Sequence, residues 1–116
     1  MPISHLAECI LETQKDLAAS KIEAPLVGHA GDGNFHLIIM LDPDDAREFE
    51  TVTGISERLV KRALKFGGTC SGEHGVGFGK LKYLEAEHGA ALNVMRAIKK
   101  ALDPADLMNP GKLIPS

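Results

Sequence analysis

Along the first twenty residues, apolar side chains recur at helical spacing: Leu6, Ala7, Ile10, Leu11, Leu17 and Ala18. This pattern predicts an amphipathic helix over about 4–19, with Ser4 as its N-cap. Two short apolar runs follow, Pro25 to Val27 and Leu37 to Leu41, separated by Gly28-His-Ala-Gly-Asp-Gly-Asn-Phe-His36. They predict strands over about 24–30 and 34–41. Asp32-Gly33 between them is a hairpin signal, because a type I′ turn needs positive φ angles that Gly and Asp tolerate. With those two residues as the turn, Gly31 pairs with Asn34, Ala30 with Phe35 and His29 with His36. The second strand then carries Phe35, Leu37, Ile39 and Leu41 on one face and His36, Ile38 and Met40 on the other. Apolar residues on both faces predict a central strand, covered by a helix on one side.

Asp42-Pro43-Asp44-Asp45 reads as a helix start, with an Asp cap, Pro at the first helical position and acids at the positive end of the dipole. Phe49, Val52, Leu59, Val60, Ala63 and Leu64 continue at helical spacing to Phe66, and Gly67-Gly68 ends the helix. Thr69 to Gly72 is short enough to be extended, which would bring Glu73-His74 to a strand end. Helices are predicted over about 80–88 and 90–102, the second with Leu92, Met95, Ile98 and Leu102 on one side and Asp103-Pro104 as its stop. The order helix, strand, strand, helix, strand, helix, helix predicts an α+β fold. Its antiparallel sheet would have helices on one face, in ferredoxin-like style.

At 116 residues the chain has the size of one domain with an ordinary core. Charge is mixed, −3 net, with no basic patch, so nucleic acid is not an expected partner. No apolar run approaches the roughly 18 residues that a membrane-spanning helix needs. The start, Met-Pro-Ile-Ser-His5, has neither a basic nor an apolar leader region, so no signal peptide is expected. Two cysteines, Cys9 and Cys70, are too few for a disulfide framework or a thiolate metal site. A reducing compartment such as the cytoplasm is the default.

Nine of the twelve glycines fall in two stretches, 28–33 and 67–79, more than structural turns require. In the expected register His29 and His36 oppose each other with Cβ atoms about 5 Å apart, and Asn34 stands beside them. Such a pair can share one metal ion; it can equally be a hydrogen-bonded surface pair. Glu73 can complete a two-His, one-carboxylate set, and the adjacent His74 can serve as a base. Asp32 reads as a turn residue, His5 and His88 as helix-surface residues, Tyr83 as packing and Cys70 as buried. The Gly-x-Gly patterns lack the strand and helix that a phosphate-cradling loop requires.

Four motifs stand in order along the chain: His29-Ala-Gly-Asp-Gly-Asn-Phe-His36, Gly67-Gly-Thr-Cys-Ser-Gly-Glu-His-Gly-Val-Gly77, Leu102-Asp-Pro and Met108-Asn-Pro-Gly-Lys112. They resemble the C-terminal part of FAD-linked 2-hydroxyacid dehydrogenases, the D-lactate dehydrogenase and glycolate oxidase flavoproteins of the vanillyl-alcohol oxidase type. The resemblance implies that residues 1–116 are the C-terminal portion of the cap, or substrate, domain, half of its ferredoxin-like sheet plus the tail. The family's FAD-binding domain, a couple of hundred residues, is expected ahead of this stretch and has no counterpart within it. The implied activity is oxidation of a D-2-hydroxy acid to the 2-oxo acid, with FAD as cofactor and an electron acceptor that the sequence does not name. The implied roles are metal ligation by His29, His36 and Glu73 for Zn, Mn or a similar divalent ion, and general base for His74. Asn34 would bind substrate, and Asn109 would contact the flavin. Some members, including the 2-hydroxyglutarate type, have Asn where this chain has Ile38, which favours D-lactate or another short or apolar 2-hydroxy acid. The full-length enzyme is expected in the cytoplasm or at the inner-membrane periphery, and 1–116 alone is expected to be inactive. An open sheet edge would invite a homodimer by strand addition. The alternative is a stand-alone metal-binding module that uses the same residues without flavin.

Overall fold

The first helix, α1, spans Ile3–Ser20. Pro2 precedes it, where a missing N–H costs nothing, so Ser4 lies inside the first turn and is not the cap that the sequence predicts. The helix ends at Lys21 in a left-handed conformation, with Lys21 N–H donating to Ala18 O and Ile22 N–H donating to Leu17 O, both at 3.2 Å. Its buried face is Leu6, Cys9, Thr13 and Leu17, whereas Ala7 and Leu11 of the predicted stripe are exposed. The core therefore admits a hydroxyl. Thr13 Oγ1 is satisfied by donating to Cys9 O at 2.7 Å.

The computed structural model describes residues 1–112 and 114. The chain divides into two compact units, Met1–Thr69 and Cys70–Ser116. In the first, α1 is followed by strand β1 (Leu26–His29) and strand β2 (Asn34–Leu37), then by helix α2 (Ala46–Lys65). The strands pair antiparallel with Leu26 opposite Leu37, Val27 opposite His36, Gly28 opposite Phe35 and His29 opposite Asn34. Histidine does not face histidine, and the predicted register is wrong by two residues. Asp32 stays in a right-handed 3-10 turn over Ala30–Asp32, and only Gly33 crosses to positive φ, at +65°. A type I′ turn needs both residues across, so the connection takes four residues and not two. Gly33 has little choice, because a Cβ there would lie 2.0 Å from the Met1 carbonyl oxygen. Gly28 is equally constrained, since its Cβ would fall 2.4 Å from Asn34 O.

Both strands are shorter than predicted. Among the described residues they form a two-stranded sheet, so β2 is not a central strand. Residues 38–41 lie beyond it, although Ile38 N–H still donates to Pro25 O at 2.9 Å. The predicted cap of α2 also moves. Asp42 closes a turn onto Asp44 N–H (3.0 Å), and Asp45 is the cap, accepting from Arg47 and Glu48 N–H at 2.9 and 3.1 Å. The helix ends as the glycines predict: Gly67 is left-handed, and Gly68 N–H donates to Ala63 O at 2.8 Å.

α2 buries Ile55, Val60 and Ala63, followed by Phe66, over the buried face of α1. A polar seam lies beside this contact. Arg62 donates to Thr13 Oγ1 (2.9 Å), Glu12 Oε2 (3.1 Å) and Asp16 Oδ2 (3.3 Å). Arg58 grips both oxygens of Asp16 at 2.7–2.9 Å. These contacts, Arg58's first, hold the Asp16 carboxyl below the usual carboxylate range.

The second unit has no strand among its described residues. Thr69 to Gly72 is not extended, and Gly72, Gly75 and Gly77 take positive φ, which breaks any run of strand geometry. Glu73-His74 thus sits in an irregular loop, not at a strand end. The helix predicted over 80–88 is a 3-10 turn at Leu81–Tyr83 and a short helix α3 (Leu84–His88). Helix α4 spans Ala91–Leu102 and buries Leu92; Val94, Ile98 and Leu102 are exposed. The described helices and the small antiparallel sheet make the fold α+β, as predicted. No helix among the described residues is long and apolar enough to cross a membrane.

Arg62 has a side chain only 12% exposed, whereas that of Arg58 is 49% exposed. Replacing Arg62 with Met should cost about 1–3 kcal/mol, because Thr13 and Asp16 keep their burial and lose a charged donor. Arg58→Met should cost under about 1 kcal/mol. Urea unfolding of both variants checks this; equal losses would show that the buried partner does not hold the seam.

Candidate functional site

The hairpin gathers three of the six predicted site residues. Paired residues share a face, and so do residues two apart on one strand, so His29, Asn34, His36 and Val27 all project from one side of the sheet. The two-residue register error leaves this side unchanged, since side chains alternate with period two. His29 and His36 are therefore diagonal neighbours, with Asn34 and Val27 at the other corners. Asn34 Nδ2 lies 3.4 Å from His36 Nε2. His29 is exposed, and Asn34 and His36 are half-buried. Ile38, just past the strand, is 50% exposed.

Glu73 and His74 belong to the second unit, in the glycine-rich loop that follows Cys70. Their side chains are 47% and 79% exposed, with His74 Nε2 3.4 Å from Glu73 Oε1. The base of this loop is tethered by Cys70 N–H, which donates to Glu87 Oε2 at 2.9 Å. The Cys70 thiol is buried, as predicted. Burial, followed by the Glu87 hydrogen bond, pushes it up to about 11.

Asn109 is exposed at the tail turn with φ +50°, a conformation that Asn tolerates better than most residues. Its carbonyl accepts from Lys112 N–H at 3.2 Å. Lys112 Nζ lies 5.7 Å from the centre of the Phe78 ring. A Cβ on Gly111 would come within 3.8 Å of the same ring. Phe78 thus ties the tail turn to the loop that carries Glu73 and His74.

Sequence reasoning gave Phe78 no role and read Asp103 only as a helix stop. Asp103 is buried, and its carboxylate accepts from Leu107 N–H (2.9 Å), Met108 N–H (2.8 Å) and the Lys99 ammonium. The available signal was Lys99 four residues before Asp103, the spacing at which helical side chains meet.

The sequence matches the family described as FAD linked oxidases, C-terminal domain, over residues 1–113. The chain belongs to that family. It is 50% identical over 115 residues to a probable mitochondrial D-lactate dehydrogenase of Danio rerio, covering 98% of this chain and 23% of the relative. It is 53% identical over 116 residues to a mitochondrial D-lactate dehydrogenase [cytochrome] of Arabidopsis thaliana, covering 99% and 20%. With the glycolate oxidase subunit GlcD of Bacillus subtilis, identity is 36% over 114 residues, covering 97% and 24%. The chain spans about a fifth of the length of the curated relatives it matches.

The Asp103 carboxyl is held at about 2, below its ordinary 3.8, first by Lys99 and then by the Met108 and Leu107 amides. A depressed acid stabilises the fold fully above its unfolded value and loses that contribution as pH falls through its folded value. The tail turn should therefore loosen between about pH 4 and pH 2. Amide chemical shifts of Leu107 and Met108 followed by NMR check this. In Asp103→Asn those shifts should no longer titrate over that range.

Proposed function

We propose that this chain is the substrate-facing portion of an FAD-dependent dehydrogenase that oxidises a D-2-hydroxy acid of D-lactate or glycolate type to the 2-oxo acid. The observation that carries this reading is the single hairpin face bearing His29, Asn34 and His36 in a member of the FAD-linked oxidase family. Names of relatives from three organisms, as D-lactate dehydrogenases or a glycolate oxidase subunit, support the substrate class.

The donor chemistry fits a divalent ion such as Zn or Mn: two imidazoles projecting from one face, and a carboxylate accessible in the second unit. His29, His36 and Glu73 are its proposed ligands. When bound, the ion would act as a Lewis acid on the substrate's carboxylate and hydroxyl, and FAD would serve as the two-electron acceptor. Asn34, which shares the hairpin face with both imidazoles, orients the substrate. His74, a largely exposed side chain beside Glu73, takes the substrate hydroxyl proton onto a ring nitrogen. Ile38 offers no amide beyond the hairpin, which suits a short substrate. Asn109 supplies one contact to the flavin. The contacts that hold the rest of FAD are assigned to a FAD-binding domain. A reducing compartment accords with two buried free cysteines, Cys9 and Cys70.

In the full-length enzyme, His74→Ala should lower turnover by about 10²–10⁴-fold while leaving bound metal nearly unchanged. His29→Ala should lose both. Metal analysis beside steady-state kinetics separates the roles, and equal metal loss in the two variants would make His74 a ligand.

One rim of a flavin pocket lacks most of the contacts that offset the entropy of immobilising a cofactor. The 116-residue chain mixed with FAD, D-lactate and a dye acceptor should therefore show no turnover. Activity is expected only when the FAD-binding domain is present. Turnover by the chain alone would overturn this division of labour. Each strand of the small sheet pairs on one side among the described residues, which supports strand addition between two copies. Light scattering that finds a monomer at high concentration would rule that dimer out.

A further inference from the structure

We infer that Lys99 and Asp103 are positioning residues that lock the Met108–Asn109 peptide and thereby aim Asn109; this rests on the proposed contact between Asn109 and the flavin. The Met108 backbone is held through both of its flanking peptides, the second being the Met108–Asn109 peptide. The Met108 N–H donates to Asp103 Oδ2 at 2.8 Å, and the Met108 carbonyl accepts from Lys99 Nζ at 2.6 Å. Lys99 also pairs with Asp103 itself and reaches Asp106 Oδ1 at 3.1 Å, so one ammonium closes the loop from 103 to 108.

The placement of Asp103 has no explanation within the helix. A carboxylate just past a helix C-terminus meets the negative end of the dipole, and there a cation is the favoured residue. This one is buried at 8% exposure and is satisfied by donors from the tail and by Lys99. Lys99 in turn directs its charge to the tail, where a last-turn lysine would ordinarily serve the helix carbonyls.

Beyond this grip the turn has little freedom left. Asn109 is left-handed at φ +50°, and its carbonyl accepts from Lys112 N–H. Gly111 and Lys112 then lie against Phe78. With the peptide before Asn109 fixed at one end and the turn after it packed at the other, the side chain's origin is set by contacts that do not themselves touch a cofactor.

The test uses Lys99→Met, Lys99→Arg and Asn109→Ala. In this chain, NMR should show Met108 and Asn109 amides displaced and faster exchanging in Lys99→Met, and near their original positions in Lys99→Arg. In the full-length flavoenzyme, Lys99→Met should weaken FAD binding by about tenfold. It should also shift the flavin absorption band, while Lys99→Arg restores both. Lys99→Met combined with Asn109→Ala should bind FAD no more weakly than Asn109→Ala alone, because coupled residues are not additive. Unchanged amides in Lys99→Met would overturn the inference, as would loosened amides with FAD binding unaltered while Asn109→Ala weakens it. A silent Asn109→Ala would instead sink the flavin contact on which the inference rests, and a Lys99→Met effect beside it would show that the lysine acts by another route.

Discussion

Arg62, threaded between α1 and α2, is the contact on which the first unit depends. Its guanidinium serves a buried hydroxyl and two carboxylates of the other helix at once. A planar cation with several donors suits this task, where a lysine would offer only a point charge. The hairpin lies between these helices in the chain, leaving α1 at Ser20 and entering α2 at Ala46. Fixing the helix pair therefore fixes both ends of the segment that carries His29, Asn34 and His36. The hairpin itself contributes four paired positions, and an isolated hairpin of that size is marginal in water.

The elements with strong periodicity were legible from the sequence, and so were the glycine stops. α1 and α2 fall within a few residues of their predicted bounds, and Gly67-Gly68 closes α2 as their chemistry demands. The pattern misplaced the buried stripe of α1. A search for apolar side chains passes over Thr13, whose hydroxyl is hidden only because Cys9 O and Arg62 satisfy it. That partnership is tertiary, and no local spacing announces it. The Asp42 cap failed for a related reason: three acids close together compete, and Asp45 wins because Asp42 is used to close the preceding turn.

For the candidate site, the residues gathered on the hairpin were legible although the register was not. The face depends only on odd or even position, whereas the pairing depends on how many residues the turn absorbs. In the second unit the predicted strand failed, while the helix predicted over 90–102 stands at Ala91–Leu102. A run of glycines does not say whether the backbone will extend or coil, and here left-handed residues coil it. The role proposed for Asn109 rests on the family resemblance alone, since Asn109 in a Pro-Gly turn carries no signal of its own.

The two units differ in how much apolar material they hide. Among the described residues, the first buries Leu6, Cys9, Leu17, Ile55, Val60, Ala63 and Phe66, while the second buries Cys70, Leu84 and Leu92. Each leaves large apolar side chains in solvent, among them Ile3, Leu11, Met40 and Phe49 in the first and Phe78, Val94, Leu107 and Met108 in the second. Local stability in a protein tracks such differences, with sparsely buried segments opening at small free-energy cost. The chain therefore has a stability gradient that declines toward its C-terminal end. The loop of Glu73 and His74 lies on the shallow side of that gradient, where motion is cheap; the turn of Asn109 lies there too, but the Lys99 and Asp103 hydrogen bonds hold it. His29, Asn34 and His36 lie on the steep side.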